Sequence, residues 1–228
     1  MNLTLESLAA KVEELEMKLA RTQDILDIQN LMARYMYLHN AGKNELAQKC
    51  FSARDDATIE FHSCGRLSKE GMMKMYDPEQ MRKNFEKMPK SDMPMMIEHT
   101  LTTPCIQVAE DGKTAKGLWI SPGHETQMGV AHWAWFKYGA DFIREEDGWK
   151  IWHYQVFMTF LCPYDKPWTD ESTWVDRPQV PFADEPTTFH NPYRKTYRGK
   201  NWPSPPEAYD TFENTWSMVG APPDGWDI

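Results

Sequence analysis

Residues 130–160 read VAHWAWFKYGADFIREEDGWKIWHYQVFMTF, and this stretch decides the fold. Two runs, Val130 to Glu145 and Trp149 to Phe160, are dense in aromatic and β-branched side chains, which suit a pleated and largely buried surface. Between them Glu146-Asp147-Gly148 supplies a tight turn, so the runs read as two long antiparallel strands. Working outward, His99 to Val108 and Ala115 to Ser121 flank a second turn at Glu110 to Lys113, which carries Asp111-Gly112. Further upstream Ala57, Ile59 and Phe61 alternate with Thr58, Glu60 and His62, the pattern of a half-buried strand ended by Gly65.

The N-terminal part has a helical period instead. Leu5, Leu8, Val12, Leu15 and Leu19 recur at alternating spacings of three and four, a coiled-coil-like seam that wants a partner. The phase breaks near Arg21 to Asp24, and a second register runs through Ile25, Ile28, Met32, Tyr35 and His39 to a stop at Gly42. Asp77, Pro78 and Gln80 combine a capping side chain, a first-turn proline and a capping-box partner, which predicts a helix from Pro78 toward Met88. Helices first and a meander of long strands last describe an α+β domain with one curved sheet.

Beyond Cys162 the composition changes, because eleven of the sixteen prolines and five of the ten tryptophans lie from Pro163 onward. Proline at that density excludes long helices and central strands, while the aromatic rings gain most by burial. An extended arm laid over the domain or a neighbouring subunit is the expectation. The resulting division is an N-terminal helical extension over 1–22, a domain over 23–161 and the arm over 162–228.

The chain has 228 residues, 41% of them hydrophobic, and a formal charge of −9 without a basic cluster, which argues against a nucleic-acid partner. No apolar run approaches a membrane span and the amphipathic start lacks the order of a secretory signal, so a cytoplasmic location is the default expectation. Cys50, Cys64, Cys105 and Cys162 form no Cys-x-x-Cys pair, and no histidine spacing or glycine-rich loop suggests a metal or nucleotide. No cofactor is expected.

Three segments, Ile28 to Leu31 with Tyr35 to Asn40, His99 at a strand start, and the Asp141 to Ile151 hairpin, resemble in order and spacing the SnoaL-like branch of the nuclear-transport-factor-2-like superfamily. That group includes polyketide cyclases, scytalone dehydratase, bile-acid dehydratase and a lindane dehydrochlorinase. The resemblance implies a cone: a curved antiparallel sheet packed around helices, with an apolar pocket and no cofactor. It further implies a lyase or dehydratase that eliminates water, or a small group such as formaldehyde, from an aromatic or polycyclic molecule. Isomerisation or aldol cyclisation, ligand binding and assembly are the alternatives within the same fold.

In several such enzymes the long helix offers a tyrosine and, five residues later, an acid that pairs with a strand histidine; here those places hold Tyr35, Asn40 and His99. Histidine suits proton transfer near neutral pH, a tyrosine hydroxyl can hold a developing oxyanion, and the neutral Asn40 can orient an imidazole but not offset its charge. Tyr37 and His39 on the same helix are candidate substrate contacts. So are Trp119 and, on one face of the next strand, Trp135 and Lys137, since a lysine on an apolar face must reach water, a carboxylate or a ligand. His153 and Tyr154 lie on opposite faces of the last long strand, so only one of them should look into a pocket. The helical seam and the aromatic arm together predict a homodimer or homotrimer.

Overall fold

A computed structural model describes residues 4–77, 79, 83, 96–127, 129–176, 178–195 and 202–224. Apart from Glu79 and Lys83, the helix expected from Pro78 toward Met88 lies outside the described residues. In chain order come α1 (Leu5–Asn40), α2 (Asn44–Gln48), β1 (Thr58–Phe61), β2 (Arg66–Leu67), α3 (Lys69–Met75), β3 (Met96–His99), β4 (Thr102–Val108), β5 (Thr114–Gln127), β6 (Val130–Glu145) and β7 (Gly148–Pro163).

The strands form one seven-stranded sheet in the order β2-β1-β7-β6-β5-β3, with β4 also on β5. The β6–β7 hairpin is its spine, antiparallel from His132 opposite Pro163 to Glu145 opposite Gly148. β5 pairs antiparallel with β6 along its whole length, and β1 adds to β7 in parallel. The inner face carries Ile59 and Phe61 of β1, Tyr154 and Val156 of β7, Phe136, Tyr138 and Phe142 of β6, and Trp119 of β5. These pack around Ile28, Met32, Tyr35 and Met36 of α1.

The two helical registers belong to one continuous 36-residue helix. Thr4 caps its start in a reciprocal capping box with Ser7. At the phase break Asp24 is buried; Trp149 donates its indole N–H to it at 3.1 Å and Arg144 forms an ion pair with it. Among the described residues no helix is long and apolar enough to cross a membrane.

The first part of the arm, with Val175, Val180, Phe182 and Ala183, packs against the core beside β2, and Thr188 and Thr215 to Gly220 lie on the outer face of the domain's own sheet. Two polar rows cross that face by strand register, Lys116–Asp141–His153 and Gly139–Gln155–Glu60. Asp141, fully buried, accepts from the Met218 N–H at 2.9 Å and from the Ser217 hydroxyl, and lies 2.9 Å from His153 Nδ1. Gln155 accepts from the Gly220 N–H at 2.5 Å and donates to Glu60 at 2.6 Å, while Glu60 accepts from the Thr188 N–H at 2.8 Å. Burial raises the Glu60 carboxyl from its usual range against these hydrogen bonds. The Lys116 ammonium donates to Thr215 at 2.9 Å and lies over the ring of Tyr209, and desolvation lowers its pKa to about 8. Gly139 must be glycine for this docking, because a Cβ there would stand 2.2 Å from the Met218 carbonyl oxygen. Backbone groups of an irregular segment thus find buried partners on the sheet, which is what makes its burial tolerable.

Candidate active site

The sheet curls far enough that β3 returns to the C-terminal end of α1, and the site forms where they meet. Asn40, the last residue of α1, donates its side-chain N–H to the His99 carbonyl at 2.9 Å and accepts the His99 N–H at 3.2 Å. The amide therefore behaves as an extra strand partner for the edge of β3. This corrects the expected contact: Asn40 holds the backbone of His99 and not its imidazole. The group beside the ring is Glu125 of β5, with Oε2 3.9 Å from Nε2, and both side chains are nearly buried, 9% and 4% exposed. At that separation the interaction is electrostatic rather than a direct hydrogen bond.

Local packing fixes the ring further. His39 stacks on it at 5.9 Å between centroids and Phe136 meets it edge-on at 5.6 Å. Gly123, opposite His99 in the β3–β5 ladder, leaves the space the ring needs, since a Cβ there would lie 2.9 Å from His99 Nδ1.

These groups line a cavity of about 100 Å³ together with Tyr35, Met36, Phe61, His62, Ile97, Tyr138, Tyr154 and Val156. Its chemistry is a set of phenols in an apolar shell. Tyr35 and Tyr76 share a hydrogen bond of 2.9 Å between hydroxyls, and Tyr138 accepts from Ser121 at 3.0 Å. Burial pushes Tyr35, Tyr154, Tyr138 and Tyr76 above the ordinary phenol range, so they stay protonated, and able to donate, across neutral pH. His62 stacks flat on Phe136 at 5.7 Å and holds a left-handed φ of 26°, an unfavourable backbone for a histidine kept at the cavity wall. A second hollow of about 300 Å³, lined by Ala33, Tyr37, Asn40, Glu98, Thr100 and Leu101, shares Met36 and His99 with the cavity as a common wall.

Of the residues singled out from sequence, the cavity gathers Tyr35, His39, His99 and Tyr154, with Asn40 behind His99 and Tyr37 in the outer hollow. The rest are placed elsewhere. Trp119 is on the inner face but packs edge-on against Phe142 in the core. Trp135 and Lys137 alternate with Phe136 and so face outward; Trp135 stacks on Phe160 at 5.9 Å. Lys137 is half-buried there, and desolvation lowers its pKa. His153 faces the arm beside Asp141, opposite in direction to Tyr154. Glu125, His62 and Tyr138 were not singled out. Glu125 falls beyond Pro122-Gly123, where the strand was expected to have ended, although β5 runs on to Gln127.

Comparison with known proteins bears on the fold and the family. No curated protein sequence matches the chain. Among solved structures, the hexachlorocyclohexane dehydrochlorinase LinA-type3 of Novosphingobium barchaimii superposes with a TM-score of 0.52 at 14% identity, over 66% of this chain and 96% of that one. A scytalone dehydratase-like protein of Novosphingobium aromaticivorans gives 0.51 at 13% identity, over 65% and 92%. An aromatic ring hydroxylase-like protein of the same organism gives 0.50 at 22%, over 62% and 94%. At such identities the likeness is one of fold. The family assignment comes from the sequence itself: the SnoaL-like domain model matches residues 20–155, from the α1 phase break through the inner wall of the cavity, and the chain belongs to the SnoaL-like family.

Proposed function

We propose that the chain is a cofactor-independent lyase that eliminates water, or a comparable small leaving group, from a single-ring hydroxylated carbonyl compound. The observation that carries this reading is the convergence of His99, Glu125 and protonated tyrosines on one mostly apolar cavity inside the cone. The cavity is left open rather than filled by the domain's own side chains, as chemistry requires and plain core packing does not.

The steps use only these residues. The His99 imidazole removes a proton from the carbon next to the carbonyl, and Glu125 offsets the positive charge the ring gains. The electron pair moves onto the carbonyl oxygen, where the Tyr154 or Tyr35 hydroxyl donates to the oxyanion. As the pair returns, the bond from the β-carbon to its hydroxyl breaks, and the proton held by His99 leaves with that oxygen as water. Atoms and charge balance without an external oxidant.

Size selects the substrate class. A cavity of about 100 Å³ suits one small ring better than the polycycle also considered from sequence, with substituents reaching the hollow beside Tyr37 and Asn40. A crystal structure with a phenolic ketone tests the placement. The ring is expected between Phe136 and Tyr154, with its carbonyl oxygen within hydrogen-bond distance of a tyrosine hydroxyl. Ligand held only at the outward Trp135 surface, with the cavity empty, would contradict it.

A further inference from the structure

The first four turns of α1 stand clear of the domain. Every residue from Leu8 to Gln23 is exposed, and the apolar side chains there are far from covered: Leu5 is 86% accessible, Val12 52% and Leu15 64%. At roughly 100° per residue, the seam of Leu5, Leu8, Val12, Leu15 and Leu19 points about 170° away from the buried stripe of Asp24, Ile28, Met32, Tyr35 and Met36. The domain that holds the second half of the helix therefore cannot cover the first half. A second helix meeting the seam would carry its own domain on the far side, clear of this one.

We propose that the seam is a parallel two-stranded coiled coil between two copies of this chain. The spacing makes Leu5, Val12 and Leu19 a positions and Leu8 and Leu15 d positions, and the central a residue, the β-branched Val12 between leucines at d, favours two strands. Charge sets the direction. Lys11 stands at g and Glu16 at the e position of the following heptad, so parallel, in-register helices pair Lys11 of each copy with Glu16 of the other. An antiparallel pair would instead set the Lys11–Lys18 edge of one helix against the same edge of its mate. A seam this short is marginal as an isolated peptide, but here the helix is already formed and continues into the domain core, so nucleation is not charged to association.

Sedimentation of the full chain tests this. At tens of micromolar, the Leu8→Glu/Leu15→Glu variant is expected to halve the mass of the wild-type particle while keeping its circular dichroism. Glu16→Lys should weaken association about tenfold, as two exposed pairs turn repulsive, and Lys11→Glu/Glu16→Lys should restore it. Leu8→Cys should form an interchain disulfide on mild oxidation, which in-register parallel d positions permit. A wild-type monomer at that concentration, a mass unchanged by Leu8→Glu/Leu15→Glu, or a Leu8→Cys chain that does not cross-link overturns the proposal.

Discussion

His99→Ala is expected to lower turnover at least about a hundredfold, the usual worth of a positioned general base, while leaving thermal stability close to wild type. The His99 backbone is fixed on both sides by Asn40, so removing the ring leaves the β3 edge in place. The side chains around it, those of His39, Phe136 and Glu125, face the cavity and keep their own helix and strand positions without the ring. Glu125→Gln should also slow the reaction, because the amide keeps the shape but cannot offset the charge of a protonated ring. Asn40→Asp has a different consequence. The aspartate loses the donor to the His99 carbonyl and sets a carboxylate against that oxygen, so it should loosen β3 rather than supply an acid to the imidazole. Full activity in both His99→Ala and Glu125→Gln would remove this pair from the mechanism.

Asp141→Ala is expected to cost about 3 kcal/mol of folding stability and to release the arm. One carboxylate satisfies the Met218 N–H and the Ser217 hydroxyl and lies beside the His153 ring, all on the covered outer face. Its removal leaves buried polar groups without their acceptor, at about 1–3 kcal/mol for each that finds no water, and breaking a buried charged cluster commonly costs 3–5 kcal/mol. Urea denaturation gives the loss. Limited proteolysis should cut the arm beyond Cys162 while β6 and β7 stay protected. A variant within about 0.5 kcal/mol of wild type, the range of neutral surface changes, would show that the row does not anchor the arm.

The β6–β7 hairpin was readable because its two runs and its turn agree, and β6 ends where Glu146-Asp147-Gly148 begins. The change of helical phase at Arg21 to Asp24 was readable too, but not that one helix carries both phases; a buried Asp24 held by Arg144 and Trp149 bridges the change through contacts distant in sequence. The face carrying Trp135 and Lys137 could be read as shared, yet not as inner or outer. Both faces of this sheet bury side chains, one under α1 and the other in part under the arm, so apolar alternation does not label the inside. Glu125 was hidden because Pro122-Gly123 resembles a strand end. In the structure Pro122 falls opposite the Thr100-Leu101 break between β3 and β4, a gap in the ladder where proline is tolerated, and the strand continues past it. Asn40 shows a third limit, since a motif position gives a residue's neighbourhood but not which atoms of the neighbour it binds.

Product formation by the purified chain after exhaustive chelation tests most directly whether this cavity performs elimination with protein groups alone. Single-ring β-hydroxy ketones would be supplied and the conjugated product followed by its ultraviolet absorbance. Turnover is expected to survive chelation, to need no added nucleotide, flavin or metal, and to fall with His99→Ala. Turnover that vanishes on chelation and returns with one metal, or conversion equal in wild type and His99→Ala, would contradict it.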